Sequence, residues 1–462
     1  MKRLLITLFA SVGLIFSLGA QKDFALYNLQ GTPQAVYANP AFVPKTKIYV
    51  SIPGLSFTNL GVSNSAFSFN DLVTQRPDDS LEWNTTSLFS KLKDLNVFSL
   101  NMQNEIFGFG FKLHESYFNF SMMHQTKFDL LYPGDLFKLA FKGNAEFLGQ
   151  RASMNGIGVN LSSYMTYNFG FARRLGDTFH VGGRLKIASG IANFRTKKTV
   201  LGLYTDPVTY ALTVDGGMQV NSSNIAVFTD STSNADPSIL QKSAYNFANK
   251  GVGLDLGGTF QMNEKVVLSA SALNLGTISW TQNTRSYEVK DFNFSFDGVD
   301  LNGYFVDSSG TDVSQMADDF IDTLTQLFNE EGVEESYVTG MGSRFYVGAT
   351  YELTPSFNVG ATVFSEVLNR QFVPGLTIAA NARVKDWLFA TVNYTMYNGS
   401  FANLGVGLSL RGGPIQFFIM SDNVLAFVNP YGAKSAHLCT GLAIAISEKS
   451  KKEKKKSKDV IE

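Results

Sequence analysis

The stretch Ser116-Tyr117-Phe118-Asn119-Phe120-Ser121-Met122-Met123-His124-Gln125-Thr126-Lys127-Phe128-Asp129-Leu130 alternates between two chemistries. Phe118, Phe120, Met122, Thr126 and Phe128 fall on one face, and Tyr117, Asn119, Ser121, Gln125 and Lys127 on the other. A period of two with one wet face marks a β-strand, whose successive side chains point to opposite sides. The pattern returns from Leu388, where Leu388, Ala390, Val392, Tyr394 and Met396 oppose Thr391, Asn393, Thr395 and Tyr397. It returns again with Leu404, Val406, Leu408 and Leu410 against Gly405, Gly407, Ser409 and Arg411, and with Leu438, Leu442, Ile444 and Ile446 against His437, Cys439, Gly441, Ala443 and Ala445. Soluble sandwiches alternate as well, so length and repetition must decide the fold.

Membrane-spanning strands need about 9 to 11 residues, with short turns on one side and longer loops on the other. On that template strands fall at 48–60, 97–112, 116–130, 159–173, 178–194, 250–262, 265–275, 343–353, 356–366, 374–384, 387–397, 402–411, 414–424 and 435–446, fourteen in all. Short turns fall at Leu113-His114-Glu115, Arg174 to Asp177, Asn263-Glu264, Thr354-Pro355, Lys385-Asp386 and Gly412-Gly413. Between them lie longer connections, the largest near 61–96, 131–158, 195–249 and 276–342. This alternation puts both chain ends on the short-turn side. In the second strand the apolar phase slips from Phe98, Leu100 and Met102 to Phe107, Phe109 and Phe111, as a β-bulge near Asn104-Glu105 would produce.

The opening residues explain how such a chain reaches its membrane. Met1-Lys2-Arg3 precede an apolar run from Leu4 to Leu18 that ends in Gly19-Ala20, the layout of a cleaved secretory signal over 1–20. After Ala20 no apolar stretch is long enough for a spanning helix, so apolarity must be hidden in alternation. With 40 Phe, 18 Tyr and 41 Gly against 12 Pro and 17% charged residues, the composition suits aromatic girdles and close turns. The formal net charge of −1 gives no footprint for nucleic acid. One cysteine, Cys439, excludes an internal disulfide, and four scattered histidines make no metal-ligand spacing, so no metal or cofactor is expected. There is no Gly-x-Ser-x-Gly elbow and no phosphate-binding Gly-x-x-x-x-Gly-Lys, so the chain reads as a non-enzyme.

The expected architecture is all-β: a fourteen-stranded antiparallel transmembrane β-barrel over 48–446, preceded by an N-terminal plug segment over 21–47 and followed by a Lys-rich tail over 447–462. Closed pairing satisfies backbone groups that lipid cannot. The wet faces then line a lumen, with Lys127, Arg184, Lys186 and Arg411 as candidate lumen charges. Arg184 and Lys186 share the inner face of one strand and need carboxylate partners there. The plug segment carries Gly31-Thr32-Pro33 and Asn39-Pro40-Ala41-Phe42-Val43-Pro44, whose prolines keep it irregular.

An Asn-Pro-Ala ahead of a fourteen-stranded barrel resembles the FadL-type long-chain fatty-acid channels, whose hatch carries that tripeptide. The resemblance assigns Asn39, Pro40 and Ala41 to hatch and gating. The stretch Asn39 to Pro44, together with Val181-Gly-Gly-Arg-Leu-Lys-Ile-Ala-Ser-Gly-Ile-Ala192, is more closely similar to a poorly characterised group of FadL-like outer-membrane barrels. Some relatives in that wider set are accessory subunits of a protein secretion system.

Two outer connections read as helical. Asp135 to Leu148 forms an amphipathic pattern with Leu136, Leu139 and Phe147, which the resemblance makes candidates for a surface docking site. Val313 to Phe328 carries Met316, Phe320, Leu324 and Leu327 on one face and Asp318, Asp319 and Asp322 on others, a solvated acidic surface. The tail holds seven Lys between Lys449 and Lys458, a self-repelling run expected to be disordered in the periplasm, where it can meet an acidic polymer or a protein. Two functions follow: an outer-membrane channel for hydrophobic or amphipathic small molecules, or a plugged, non-transporting barrel that serves a secretion or surface-assembly complex. The implied partners are outer-membrane lipid, a hydrophobic ligand, and a secretion-system or periplasmic protein.

Overall fold

A computed structural model describes residues 24–29, 31–225, 238–296, 332–368, 371–397 and 400–447. The signal segment, the Lys run and the helix expected over 313–328 lie outside these residues.

Fourteen antiparallel strands close into a barrel. They are β1 in two pieces, Thr46–Ser51 and Thr58–Asn64, then β2 Leu95–Leu113, β3 Ser116–Pro133, β4 Gly158–Leu175, β5 Phe179–Thr205, β6 Lys250–Gln261 and β7 Val266–Trp280. There follow β8 in two pieces, Tyr337–Gly340 and Arg344–Thr354, then β9 Phe357–Leu368, β10 Gln371–Val384, β11 Leu388–Tyr397, β12 Ser400–Gly412, β13 Ile415–Ser421 and β14 Ser435–Ser447. Closure is made by β1 on β14, with Ile48 opposite Ile446 and Leu60 opposite Leu438. Six tight turns lie on one side, and His114, Gly176, Lys385 and Gly413 take positive φ there, as tight hairpin turns require. This is the architecture expected from the alternation, and the one the resemblance implied.

Three expectations change. The first strand is not continuous from 48 to 60, because Ile52 to Phe57 leave the ladder: Pro53 has no N–H to give, and Gly54 sits at φ +73°. The bulge in β2 lies beside this interruption, where the register passes from Glu105 opposite Met123 to Phe107 opposite Met122. The Glu105 amide bonds the Phe57 carbonyl at 2.8 Å and its carbonyl accepts from Gly54 at 3.2 Å, so kink and bulge satisfy each other. Second, the connections after β5 and β7 are not plain loops. Leu212–Ser223 pairs with the upper half of β5, and Thr284–Phe296 pairs with it in turn, extending the sheet beyond the barrel. Third, the helix expected over Asp135 to Leu148 is split into an α-helix, Gly134–Lys142, and a 3-10 turn, Ala145–Phe147, by Gly143 at φ +69°.

Facing outward, Phe107, Phe109, Phe111, Phe118, Phe169 and Phe171 are exposed. Phe111 stacks on Phe118 at 5.4 Å and Phe118 meets Phe171 at 5.1 Å, a ladder of rings across β2, β3 and β4 at the short-turn end. In water so much exposed aromatic surface is a liability, and in lipid it is an interfacial girdle. Inward residues of the same strands are buried, among them Tyr117, Ser121 and Thr166. The chain is thus an outer-membrane β-barrel. Among the described residues no helix is long and apolar enough to cross a membrane.

Candidate functional site

The chain's own N-terminal segment fills the lumen from its short-turn end and reaches Asp422 and Tyr397 at the loop-side ends of β13 and β11. A helix, Phe24–Asn28, and a 3-10 turn, Pro33–Tyr37, sit inside the barrel. Phe24, Leu26, Tyr27, Leu29 and Phe42 pack against wall residues that include Tyr346, Phe364, Tyr397 and Phe418. Tyr27 stacks on Tyr346 at 4.9 Å, and Phe24 meets the edge of Phe364 at 5.0 Å. Fully burying each such side chain stabilises by about 1.5 to 3 kcal/mol. Among the described residues no backbone–backbone hydrogen bond joins this segment to the wall, because its backbone bonds are internal. The polar links of its described residues to the wall run through side chains: Asp422 accepts from the Ala25 amide at 2.8 Å, the Tyr27 hydroxyl bonds Ser269 at 2.9 Å, and Ser271 donates to the Ala38 carbonyl at 2.8 Å.

Asn39, Pro40 and Ala41 form a fixed corner. The Asn39 amide group donates to the carbonyls of Ala270 at 3.2 Å and Gly258 at 3.5 Å, while its oxygen accepts from the Ala41 amide at 2.9 Å. The wall receives this corner only because two wall residues have no side chain. A Cβ at Gly182 would lie 2.3 Å from the Pro40 carbonyl oxygen, and one at Gly257 would lie 2.1 Å from the Asn39 oxygen. The two stretches that carry the family resemblance therefore touch. Gly182→Val is expected to unseat the corner and expose residues 31–44 to protease in the folded barrel. Gly183→Val, whose added Cβ meets nothing closer than 3.7 Å, should leave the cleavage pattern unchanged. Identical digests for the two variants would refute this seat.

Above the corner lies a buried charge cluster. Arg184 and Lys186 point inward from β5 at 2% and 6% exposure, and Asp255 on β6 is fully buried between them. Asp255 Oδ2 is 2.9 Å from Lys186 Nζ and 3.3 Å from an Arg184 nitrogen, while Oδ1 accepts from the Asn274 amide at 2.7 Å. Lys186 also donates to the Asn274 side chain. Arg184 donates to the Val36 carbonyl and lies 4.9 Å from the Tyr37 ring centroid, so it holds the 3-10 turn by hydrogen bond and by cation–π contact. Across the lumen Glu105 accepts from the Tyr49 hydroxyl at 2.7 Å, and Gln34 donates to the Ser56 carbonyl at 3.1 Å.

Toward the loops, on the side of β2 to β5 and β8, the lumen opens into a vestibule of about 430 Å³, lined by Asp129, Ser162, Tyr164, Arg195 and Met341 among others. Lys127 faces it, ion-paired with Asp129 at 3.4 Å and Glu366 at 3.8 Å. A cleft of about 60 Å³ beneath it, lined by Tyr164, Asn274, Arg344 and Glu366, leads down to the Lys186 cluster. Arg411 stands apart at the short-turn rim, where its guanidinium donates to the Ala445 carbonyl. Leu136 is exposed and Leu139 half-buried on the outer helix, while Phe147 is buried on the separate turn, so these three do not share one face. On a neighbouring loop partial burial opposes ionisation of Asp71, but hydrogen bonds from Ser68 and the charges of Lys91 and Lys434 outweigh it and hold the carboxyl below its ordinary range.

Asp255, Glu105 and Arg195 were not among the candidates, although each leaves a trace in the sequence. Asp255 falls in the inward phase between Leu254 and Leu256, Glu105 marks the bulge, and Arg195 lies just past the end assigned to its strand.

No curated protein matches this sequence. Among solved structures, the Ralstonia pickettii toluene transporter TbuX overlaps at 10% identity, over 91% of this chain and 96% of that one, with a TM-score of 0.40. A Pseudomonas aeruginosa FadL homologue overlaps at 9% identity over 94% and 99%, with a TM-score of 0.41. The P. putida toluene transporter TodX overlaps at 10% over 90% and 95%, also at 0.41. At these scores the likeness is a general one of barrels, and what those proteins carry is said of them alone. The model of a family described as "family of unknown function (DUF5723)" matches residues 40–422, and the chain belongs to that family.

Proposed function

We propose that this barrel is a gated channel that passes a small amphipathic molecule across the outer membrane, with residues 24–44 as its hatch, Asn39 to Ala41 as the hatch corner and both chain ends in the periplasm. One observation carries the reading: among the described residues, the segment that fills the lumen is bonded to the wall through side chains alone, and an open vestibule adjoins it on the loop side. A structural filler would gain from joining the sheet. A hatch held by side chains can leave without unzipping a strand, and the closed wall supplies the rigid frame against which it moves. Barrel in lipid nanodiscs is expected to bind N-phenyl-1-naphthylamine or another member of an amphiphile panel, and to speed its passage across proteoliposome membranes. No binding across the panel, with flux no faster than in protein-free vesicles, would remove the reading.

The alternative, a plugged subunit of a secretion or surface complex, draws on a different observation. Leu425, Phe427, Val428 and Tyr431 are all exposed on the loop between β13 and β14, next to exposed Phe69. Apolar loop surface of that kind marks protein contacts. Affinity purification from native membranes should then recover a stoichiometric partner, and barrel alone counts against it.

A further inference from the structure

Among the described residues three charged side chains line the vestibule, and two of them are already matched: Lys127 with Asp129 at 3.4 Å. The third, Arg195, points into the same space from the upper part of β5 and has no ion pair or side-chain hydrogen bond among the described residues. Its neighbours are committed elsewhere, since Asn193 donates to the Leu161 carbonyl at 2.7 Å and accepts from the Tyr337 hydroxyl at 2.9 Å. The walls are mixed, with Val97, Leu131 and Met341 set among Ser162, Asn160 and Thr339. The floor narrows to the 60 Å³ cleft and then to the filled part of the lumen.

Resting on the channel reading above, we infer that the vestibule is a binding site for a compact organic anion, one acidic group on a ring-sized apolar body, whose acid is recognised by Arg195. A guanidinium presents planar paired donors that match carboxylate, sulfonate or phosphate oxygens. A neutral hydrocarbon in the same place would strip water from Arg195 and from the polar wall without replacing it, which is costly. About 430 Å³ lies within the range of pockets that enclose a drug-sized molecule, and the closed floor leaves no room for a long extended chain. The apolar body then lies against Val97, Leu131 and Met341.

Two probes with the same ring system separate the acid from the body: 1-anilinonaphthalene-8-sulfonate and neutral N-phenyl-1-naphthylamine, titrated calorimetrically into full-length barrel in nanodiscs, with hexadecanoate as a long-chain acid. The sulfonate should bind more tightly than the neutral probe, and Arg195→Gln should weaken it by about tenfold to a hundredfold. The neutral probe and hexadecanoate should not respond to that change, and Arg195→Lys should restore part of the sulfonate affinity. Arg195 is half-buried and bonds no side chain among the described residues, so the variant should fold, as an unshifted heat-modifiable gel band will show. If the neutral probe binds as well as the sulfonate, or if Arg195→Gln weakens both alike, the anion site is wrong and the channel reading stands. If no probe binds the unaltered barrel, both fall.

Discussion

Barrel lacking residues 24–44 is expected to conduct steadily in planar bilayers, where the full-length protein stays closed with rare brief openings. The argument is one of magnitude. Five apolar side chains of this segment, Phe24, Leu26, Tyr27, Leu29 and Phe42, are buried in the lumen, and at the low end of the burial scale they hold it by about 7.5 kcal/mol. At 1.4 kcal/mol per factor of ten, that leaves an open population of about one in 10⁵, before any polar link is counted. Deletion removes the plug and leaves the wall intact, since no backbone hydrogen bond of the described wall depends on the segment. The remaining lumen is lined by Arg184, Lys186, Asp255 and Glu105, and it fills with water. A deletion variant that folds, by its heat-modifiable gel shift, yet stays as closed as the full-length barrel would show that something other than this segment seals the pore.

Strand number and topology were legible because the lipid face leaves a continuous apolar phase. Phe118 and Phe120, or Val392 and Tyr394, must meet hydrocarbon whatever the rest of the chain does, and their alternates must not. The same logic fails where the lipid ends. Leu212–Ser223 is a strand, but it stands beyond the barrel where neither face meets hydrocarbon, and its residues through Gln219 are all half-buried, so no phase distinguishes it from a loop. The interruption of β1 was spelled out by Pro53 and Gly54, yet the residues that make it bearable, Glu105 on β2 and Leu442 on β14, are remote in sequence. For the lumen, the inward charges could be named, but their partners could not. That Arg184 and Lys186 require a carboxylate follows from the cost of a buried charge. Which one supplies it depends on the register of β5 against β6, where Arg184 stands opposite Asp255. The recess for Pro40 is likewise a property of register, since Gly182 and Gly257 pair across the same two strands.

The register between β5 and β6 also sets the second large effect. Asp255→Ala is expected to destabilise the barrel by about 3 to 5 kcal/mol, the range for removing one partner of a buried ion pair. Two cations depend on this one carboxylate, and neither has bulk water to turn to at 2% and 6% exposure. The Asn274 amide loses its acceptor as well. Asp255→Asn keeps the volume and can still accept from Asn274, so it should recover only the hydrogen-bond part of the loss and leave the charge imbalance. Removing a cation as well should relieve that imbalance: Asp255→Ala with Lys186→Met is expected to be more stable than Asp255→Ala alone, a coupling of about 0.5 to 3 kcal/mol. Denaturant titration in lipid, read by tryptophan emission, measures the whole set. Additive losses in the double variant would mean that Asp255 holds the wall by some route other than charge. The predicted non-additivity would tie the fate of the lumen segment to the wall, because the guanidinium that loses its counter-ion is the one that holds the Val36 carbonyl.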